Sequence, residues 1–122
     1  MAINPAAARL GLKGEDLVAE FLIAKKVEIL DRNWRIREGE LDLVAQDGMG
    51  QILIIEVKTR TTNSFGDPLE SIDWEKALRI QRLAMAWLAC HHRLGQPYRI
   101  DVAGVIIARS GKVTIDYREG IL

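Results

Sequence analysis

The stretch ILIIEVKTR, residues 52 to 60, joins a run of four large aliphatic side chains to a charged end. Such an uninterrupted apolar run is typical of a strand that is buried on both faces in the middle of a sheet. Glu56 and Lys58 follow two positions apart, so in a strand they project from the same face. We therefore predict a central strand over residues 51 to 59 with a carboxylate and an ammonium group at its C-terminal end.

The residues before this strand predict a hairpin partner for it. Residues 40 to 46 alternate in polarity and are typical of a half-buried strand whose inner face carries Leu41, Leu43 and Ala45. Residues 47 to 50, DGMG, have the composition of a tight turn, so the two strands should be antiparallel neighbours. Pairing outward from the turn places Asp42 close to Glu56, and Glu40 is expected to share the face of Asp42.

The remaining elements follow from helical periodicity and turn residues. We predict a helix over residues 5 to 26, a polar loop over 60 to 67, and a helix that begins near Asp67 or Ser71 and ends near Leu94. Further strands are predicted over residues 27 to 37, 98 to 108 and 113 to 117. The order α-β-β-β-α-β-β predicts one α/β domain over residues 1 to 122, with a mixed sheet flanked by two main helices.

Composition limits the classes of function. The chain has 17 basic and 17 acidic residues, so it is not expected to coat nucleic acid through bulk charge alone. The charge is segregated, however, because residues 76 to 99 contain five basic side chains and no acidic one. A single cysteine excludes an intramolecular disulfide and fits a reducing cytoplasm. No apolar run approaches the length of roughly 18 residues that a membrane span needs, so we expect a cytoplasmic protein without membrane contact.

Two or three carboxylates are expected to converge at the end of the central strand, namely Asp42, Glu56 and Glu15. Glu15 belongs to the apolar stripe of the first helix and should point inward or to the edge of the core. Clustered carboxylates repel one another, so without a cation at least one should have a raised pKa. Mg²⁺ would resolve this conflict, and Lys58 would then orient a water or offset phosphate charge. The structural alternative is an ordinary ion pair between Glu56 and Lys58, with Asp42 accepting hydrogen bonds from a turn.

Several short motifs together resemble a known nuclease superfamily. They are Gly14-Glu15 with Ala19, Arg32-Asn33, Gly39-Glu40-Leu41-Asp42, Glu56-Val57-Lys58, Lys76 and Arg99-Ile100-Asp101. This set is similar to the PD-(D/E)XK nuclease superfamily and, more closely, to the YraN-like family of small bacterial proteins. The resemblance covers nearly the whole chain. Leu41 stands where the superfamily name has proline, and the acidic residue follows it at Asp42.

The resemblance implies a restriction endonuclease-like core that hydrolyses phosphodiester bonds with Mg²⁺, for which Mn²⁺ can substitute. Asp42 matches the acidic position, Glu56 and Lys58 match the E-x-K pair, and Glu15 matches a helix acid shared with archaeal Holliday-junction resolvases. The implied metal ligands are Asp42, Glu56, Glu15 and the backbone carbonyl of Val57. The implied substrate is DNA, cut either by structure or without preference. The alternative function is a non-catalytic domain that retains the nuclease fold and binds nucleic acid or a partner.

Basic and aromatic side chains predict a binding surface near this site. The main nucleic-acid-binding candidates are Lys76, Arg79 and Arg60, and the secondary candidates are Glu40, Arg82 and Trp34. Stacking of a base on a tryptophan flanked by arginines is one use of such residues. The alternative for the arginines is a solvated helix face, and for the tryptophan it is packing against the sheet. A homodimer would help to cut two strands, although no sequence feature defines an interface.

Overall fold

Two helices and five strands follow one another in the parts of the chain that the structure, a computed structural model, describes: residues 5–62 and 73–121. Helix α1 spans Pro5–Ala24 and helix α2 spans Trp74–Cys90. The strands are β1 Glu28–Ile36, β2 Gly39–Gln46, β3 Ile52–Thr61, β4 Tyr98–Ile107 and β5 Val113–Arg118. This order confirms the predicted α/β fold class. Neither helix of the described residues is long and apolar enough to cross a membrane.

The five strands form one sheet in the order β1-β2-β3-β4-β5, so the charged strand lies at its centre. β3 and β4 are parallel, and the other neighbouring pairs are antiparallel. Ile52 and Ile54 pack on the side of α2, whereas Leu53 and Ile55 pack on the side of α1. β3 is therefore buried on both faces, as its sequence predicts, and each of these side chains contributes roughly 1.5–3 kcal/mol through burial.

β2 is also buried on both faces, so the predicted half-buried alternation is wrong. Leu41 packs in the cluster beside α2, whereas Leu43 and Ala45 pack in the cluster beside α1. The strand changes its pattern at Asp42, between the pairs Arg32–Leu43 and Trp34–Leu41, where neither Asp42 nor Asn33 of β1 has a partner in the register. Asn33 has a φ of 51°, in the left-handed region that asparagine tolerates better than most residues. This local irregularity separates side chains that a regular strand would place on one face.

The predicted ends of α2 differ from the structure. The starts at Asp67 and Ser71 lie outside the described residues, and α2 begins at Trp74 with Asp73 as its N-cap. The predicted C-terminus at Leu94 is wrong, because α2 ends at Cys90 and His92 adopts a φ of 55°. This left-handed residue turns the chain out of the helix, as glycine does at many helix ends.

The predicted polar loop also begins too early, because β3 continues through Arg60 to Thr61. Its pairing with β4 continues to the same point, where Thr61 lies opposite Ile107. The long parallel ladder therefore overrides the polar character of these residues.

Asp101 of β4 ties the C-terminal residues to the sheet. It is completely buried and accepts hydrogen bonds from Arg99 Nε at 2.7 Å and from the Gly120 N–H at 2.9 Å. The Tyr117 hydroxyl donates to the same carboxylate, and burial together with this bond raises the pKa of Tyr117. The motif Arg99-Ile100-Asp101 therefore has a structural role, since it satisfies a buried charge as buried charges require.

Candidate active site

The candidate site lies in a fork between β2 and β3. The paired register of these strands ends at Leu43 and Ile55, one residue before Asp42 and Glu56. Beyond that point Asp42 Oδ2 accepts a hydrogen bond of 2.8 Å from the Val57 N–H of β3. The aspartate side chain therefore continues the ladder where the backbone pairing stops, and this bond fixes its carboxylate beside Glu56.

Two ammonium groups meet on the Glu56 carboxylate. Lys58 Nζ lies 3.6 Å and Lys76 Nζ lies 3.5 Å from Glu56 Oε1. Lys58 comes from β3 itself, and Lys76 comes from the first turn of α2, where its N–H donates to the capping carboxylate of Asp73. Lys76 is predicted to bind nucleic acid, and the structure places its ammonium group beside Glu56 in the site. Its pKa is lowered, mainly by burial and secondly by Lys58.

Burial and a neighbouring carboxylate both affect the pKa of Asp42. Burial raises the pKa of Asp42 to about 8, and the neighbouring charge of Glu56 adds to the increase. The Val57 N–H favours the ionised form and opposes this effect, but it is the smaller influence. At neutral pH and without a bound cation, Asp42 is therefore mostly protonated, and its ionisation in the fork costs free energy that a bound cation would offset.

Glu15 stands near this fork but is held by other residues. Burial raises its pKa, while a hydrogen bond from Asn33 and the charge of Arg32 lower it. Its Oε1 atom is buried and has no hydrogen-bond partner among the described residues. The charge of Glu15 also contributes to the raised pKa of Asp42, which indicates proximity. Glu15 is thus close to Asp42, and its role as a ligand shared with Asp42 and Glu56 stays a prediction.

The residues present fit a cation that needs few protein ligands. Within residues 5–62 and 73–121, no group of three or more acidic, histidine or cysteine side chains is placed to hold a metal ion. Two adjacent carboxylates remain, Asp42 and Glu56, together with the unpartnered Oε1 of Glu15 nearby. Mg²⁺ commonly binds through one or two carboxylates and completes its shell with waters and substrate phosphates. The donor set therefore suits Mg²⁺ better than a metal that needs an all-protein cage.

A close contact between α1 and β3 positions Glu15. Gly14 is buried against Thr59, and a Cβ atom at this glycine would lie 1.8 Å from Thr59 Oγ1. Only glycine permits this approach of the helix to the strand. Glu15 is the next residue, so the same contact fixes the distance between Glu15 and the sheet.

The other predicted residues lie around the fork with different surroundings. Arg79 and Arg82 are exposed on α2, and Arg60 is half-buried on β3. Glu40 is exposed and forms an ion pair with Arg35 at 2.8 Å. Trp34 is half-buried and packs against the core beside α2, in accord with its structural alternative.

Asn33 lies beside the site, although the sequence motif Arg32-Asn33 predicts no role for it. It bonds Glu15 and lies between the two β1–β2 pairs Arg32–Leu43 and Trp34–Leu41, the pairs that flank Asp42 on β2. An asparagine inside a strand is a signal for a left-handed residue, because it tolerates that conformation better than most residues. Its place in the sheet, however, depends on the register, which one strand alone does not define.

Comparisons with known proteins identify close relatives over most of the chain. The model of the uncharacterised protein family UPF0102 matches residues 14–105. A UPF0102 protein of Frankia casuarinae is 47% identical over 91% of this chain and 93% of its own length. A UPF0102 protein of Beutenbergia cavernae is 40% identical over 92% of this chain and 94% of its own length.

Two solved structures show looser likeness. A chain from a complex of EndoMS with dsDNA is 16% identical, with a TM-score of 0.38 over 80% of this chain and 38% of that chain. SfsA of Pyrococcus furiosus, solved with Ca²⁺, is 14% identical, with a TM-score of 0.40 over 87% of this chain and 62% of that chain. This chain thus spans less than two thirds of either protein, and at these scores neither likeness bears on function. By its family match and its relatives, the chain belongs to the uncharacterised protein family UPF0102, the YraN family that its motifs resemble.

Proposed function

We propose that this protein is a metal-dependent nuclease that hydrolyses phosphodiester bonds in DNA. One observation carries the proposal: the fork between β2 and β3 joins two carboxylates, Asp42 and Glu56, to two ammonium groups, Lys58 and Lys76. Carboxylates that can hold a cation beside amines that can hold a phosphate are the groups that phosphodiester hydrolysis requires.

Each group has a role that follows from its position. Asp42 and Glu56 would hold Mg²⁺, with the Val57 carbonyl and Glu15 as the further ligands that the family resemblance implies. The bound ion would polarise a phosphoryl oxygen and lower the pKa of a water molecule. Lys58 lies on the strand that carries Glu56 and would orient the attacking water. Lys76 approaches from α2 and would neutralise the charge that develops on the phosphate.

A non-catalytic binding domain is the second candidate, and one observation favours it. Lys58 and Lys76 both lie within ion-pair distance of the Glu56 carboxylate, so the charge of this residue is met without a metal ion. A protein that had lost catalysis could retain this pair to stabilise its fold. The raised pKa of Asp42 favours the enzyme instead. A second carboxylate that is costly to ionise adds nothing to a structural ion pair, whereas it is typical of a functional site.

The test compares wild type with Asp42→Ala and Lys58→Ala. Each protein is incubated with linear, flapped and four-way DNA, in Mg²⁺, in Mn²⁺ and in chelator. Glu20→Ala is the control for Asp42→Ala and Lys112→Ala is the control for Lys58→Ala, since each removes an exposed side chain with the same charge as its site counterpart. We expect wild type and controls to cleave in either metal, and each site variant to lose at least about 100-fold in rate.

Two results separate the candidates. Cleavage that persists in both site variants would show that the activity comes from another protein, and the assignment would be withdrawn. Binding of DNA without cleavage by wild type in either metal would favour the non-catalytic domain.

A further inference from the structure

A groove runs along α2 beside the β1–β2 hairpin, next to the site just described. Its volume is about 570 Å³, which falls within the range of roughly 300–1,000 Å³ typical of small-ligand sites. The residues that line it are Ile36, Glu38, Arg79, Arg82, Leu83 and Ala86.

The lining divides into an apolar floor and a charged rim. Ile36, Leu83 and Ala86 are half-buried or buried and supply the floor. Glu38 and the two arginines, Arg79 and Arg82, are exposed and stand at the rim. A ligand that fits would have a flat apolar face, a hydrogen-bonding edge and a negative charge.

Two elements of the fold, α2 and β2, lead from the groove to the candidate active site. Arg79 follows Lys76 by three residues on α2, so their side chains are neighbours on one helix face. Gly39 packs against Leu83 of the groove, where an added Cβ would lie 3.2 Å from Leu83 Cδ1. Asp42 lies three residues further along β2, in the fork. One bound strand can therefore reach from the fork into the groove.

We propose that this groove binds an unpaired nucleotide of the DNA substrate, adjacent to the phosphate held at the fork. This inference rests on the proposed function, since Lys58 and Lys76 hold that phosphate. The apolar floor receives the face of the base, and Arg79 and Arg82 stack on the ring or pair with the flanking phosphate. Glu38 accepts hydrogen bonds from an exocyclic amino group at the edge of the base.

This arrangement selects a class of substrate. A base inside a duplex is stacked on its neighbours and paired, so it enters a groove only after it has been extruded at a cost in free energy. A nucleotide in a flap, a bulge or a splayed arm is already unpaired and avoids that cost. The groove therefore favours branched or flapped DNA over intact duplex by recognising the unpaired base itself.

The test is a binding measurement in chelator, so that it does not depend on cleavage. Three labelled DNAs are titrated: blunt duplex, the same duplex with one unpaired cytosine, and that duplex with an abasic residue in place of the cytosine. The abasic DNA keeps every phosphate and removes only the base. We expect the unpaired cytosine to increase affinity about tenfold over both other DNAs, the effect of one stacked base.

Three variants locate the effect. Ala86→Phe fills the groove, whereas Met85→Phe makes a similar change at a neighbouring exposed position that does not line it. We expect Ala86→Phe to lose the tenfold preference while its affinity for blunt duplex stays the same, and Met85→Phe to keep both. Glu38→Ala, an exposed change that spares the floor, should reduce the preference for cytosine more than that for thymine, because thymine has no exocyclic amino group.

Each outcome separates this inference from the proposed function. Equal affinity for the cytosine and abasic DNAs, with duplex still bound, would overturn the groove while leaving the nuclease intact. A preference for the unpaired cytosine that survives Ala86→Phe would also overturn the inference. That result is expected if the groove binds a peptide of another protein and not a base. A protein that binds none of the three DNAs in chelator would overturn the groove, while the cleavage assay in Mg²⁺ decides the nuclease separately.

Discussion

Replacement of Asp42 by asparagine should stabilise the metal-free protein, although it removes a proposed catalytic group. The pKa of Asp42 is raised from an ordinary 3.8 to about 8 by burial and by Glu56. Between these two values the folded state holds a proton that the unfolded chain releases. The free energy of unfolding therefore falls as the pH rises from about 4 to 8, since stability follows the difference in bound protons.

The magnitude follows from the same two values. Each pKa unit corresponds to about 1.4 kcal/mol, so at pH 7 this carboxylate lowers the stability of the fold by at most about 4 kcal/mol. Asparagine keeps an oxygen that can accept from the Val57 N–H, which wild type bonds at 2.8 Å. Because Asp42 is partly exposed and interacts with Glu56, we expect Asp42→Asn to gain about 1–3 kcal/mol.

The assay is urea unfolding in chelator at pH 6, 7 and 8. Wild type should lose up to about 1.4 kcal/mol per pH unit, whereas Asp42→Asn should show little of this slope. Asp47→Asn is a matched control on the same hairpin, since Asp47 accepts from two turn N–H groups, those of Met49 and Gln51. It should keep the wild-type slope.

A stability of Asp42→Asn below that of wild type at pH 8, or an unchanged pH slope, would refute the reasoning. Either result would mean that the carboxylate is well solvated or fully compensated. The raised pKa of Asp42 would then give no reason to expect a cation at the fork.

Two further predictions concern the packing that supports the site. Gly14→Ala should cost at least about 1–3 kcal/mol, because its Cβ would meet Thr59 Oγ1 at 1.8 Å and Thr59 Cβ at 2.9 Å. Gly11→Ala on the same helix meets nothing within 4 Å and should stabilise by up to about 1 kcal/mol, so equal effects in thermal unfolding would contradict this contact. Tyr117→Phe should cost about 1.5–3 kcal/mol in urea unfolding, because it removes a donor from the buried charge of Asp101, and a loss below about 0.5 kcal/mol would show that the carboxylate is satisfied without it.

The order of elements was predictable because each carries its own local signal. The aliphatic run from Ile52 to Ile55 predicts a strand buried on both faces, and the structure confirms it at the centre of the sheet. The tight turn after β2 predicts an antiparallel hairpin, and that pairing sets Asp42 beside Glu56. The core of the candidate site was therefore accessible from pattern and register alone.

The faces of β2 were not predictable from alternation, because the pattern breaks at one residue. Leu41 and Leu43 lie on opposite faces, next to the row where Asn33 has a positive φ. A polarity pattern assumes a regular strand, and it contains no information on where the backbone departs from one. The two buried clusters depend on that departure.

The position of Lys76 also required the three-dimensional structure. Helical spacing places this residue at the rim of the buried face of α2, but it does not say which strand end the helix crosses. The start of α2 was ambiguous as well, since several capping residues precede it and Asp73 is the one that caps the described helix. The contact of Lys76 with Glu56 arises from how α2 crosses the sheet, which local sequence does not determine.

The most direct measurement of the central claim is a titration of Mn²⁺ into wild type and Glu56→Gln, with free Mn²⁺ followed by electron paramagnetic resonance. If Asp42 and Glu56 hold a divalent cation, wild type should bind one ion that Mg²⁺ displaces. Glu56→Gln should then bind the ion at least about tenfold more weakly. Loss of a residue that only supports a metal ligand already weakens metal binding by about tenfold or more, and loss of the ligand itself should cost at least as much. The exposed control Glu20→Gln should bind as wild type does. Equal affinity of wild type and Glu56→Gln, or no binding by wild type, would contradict a metal site in the fork.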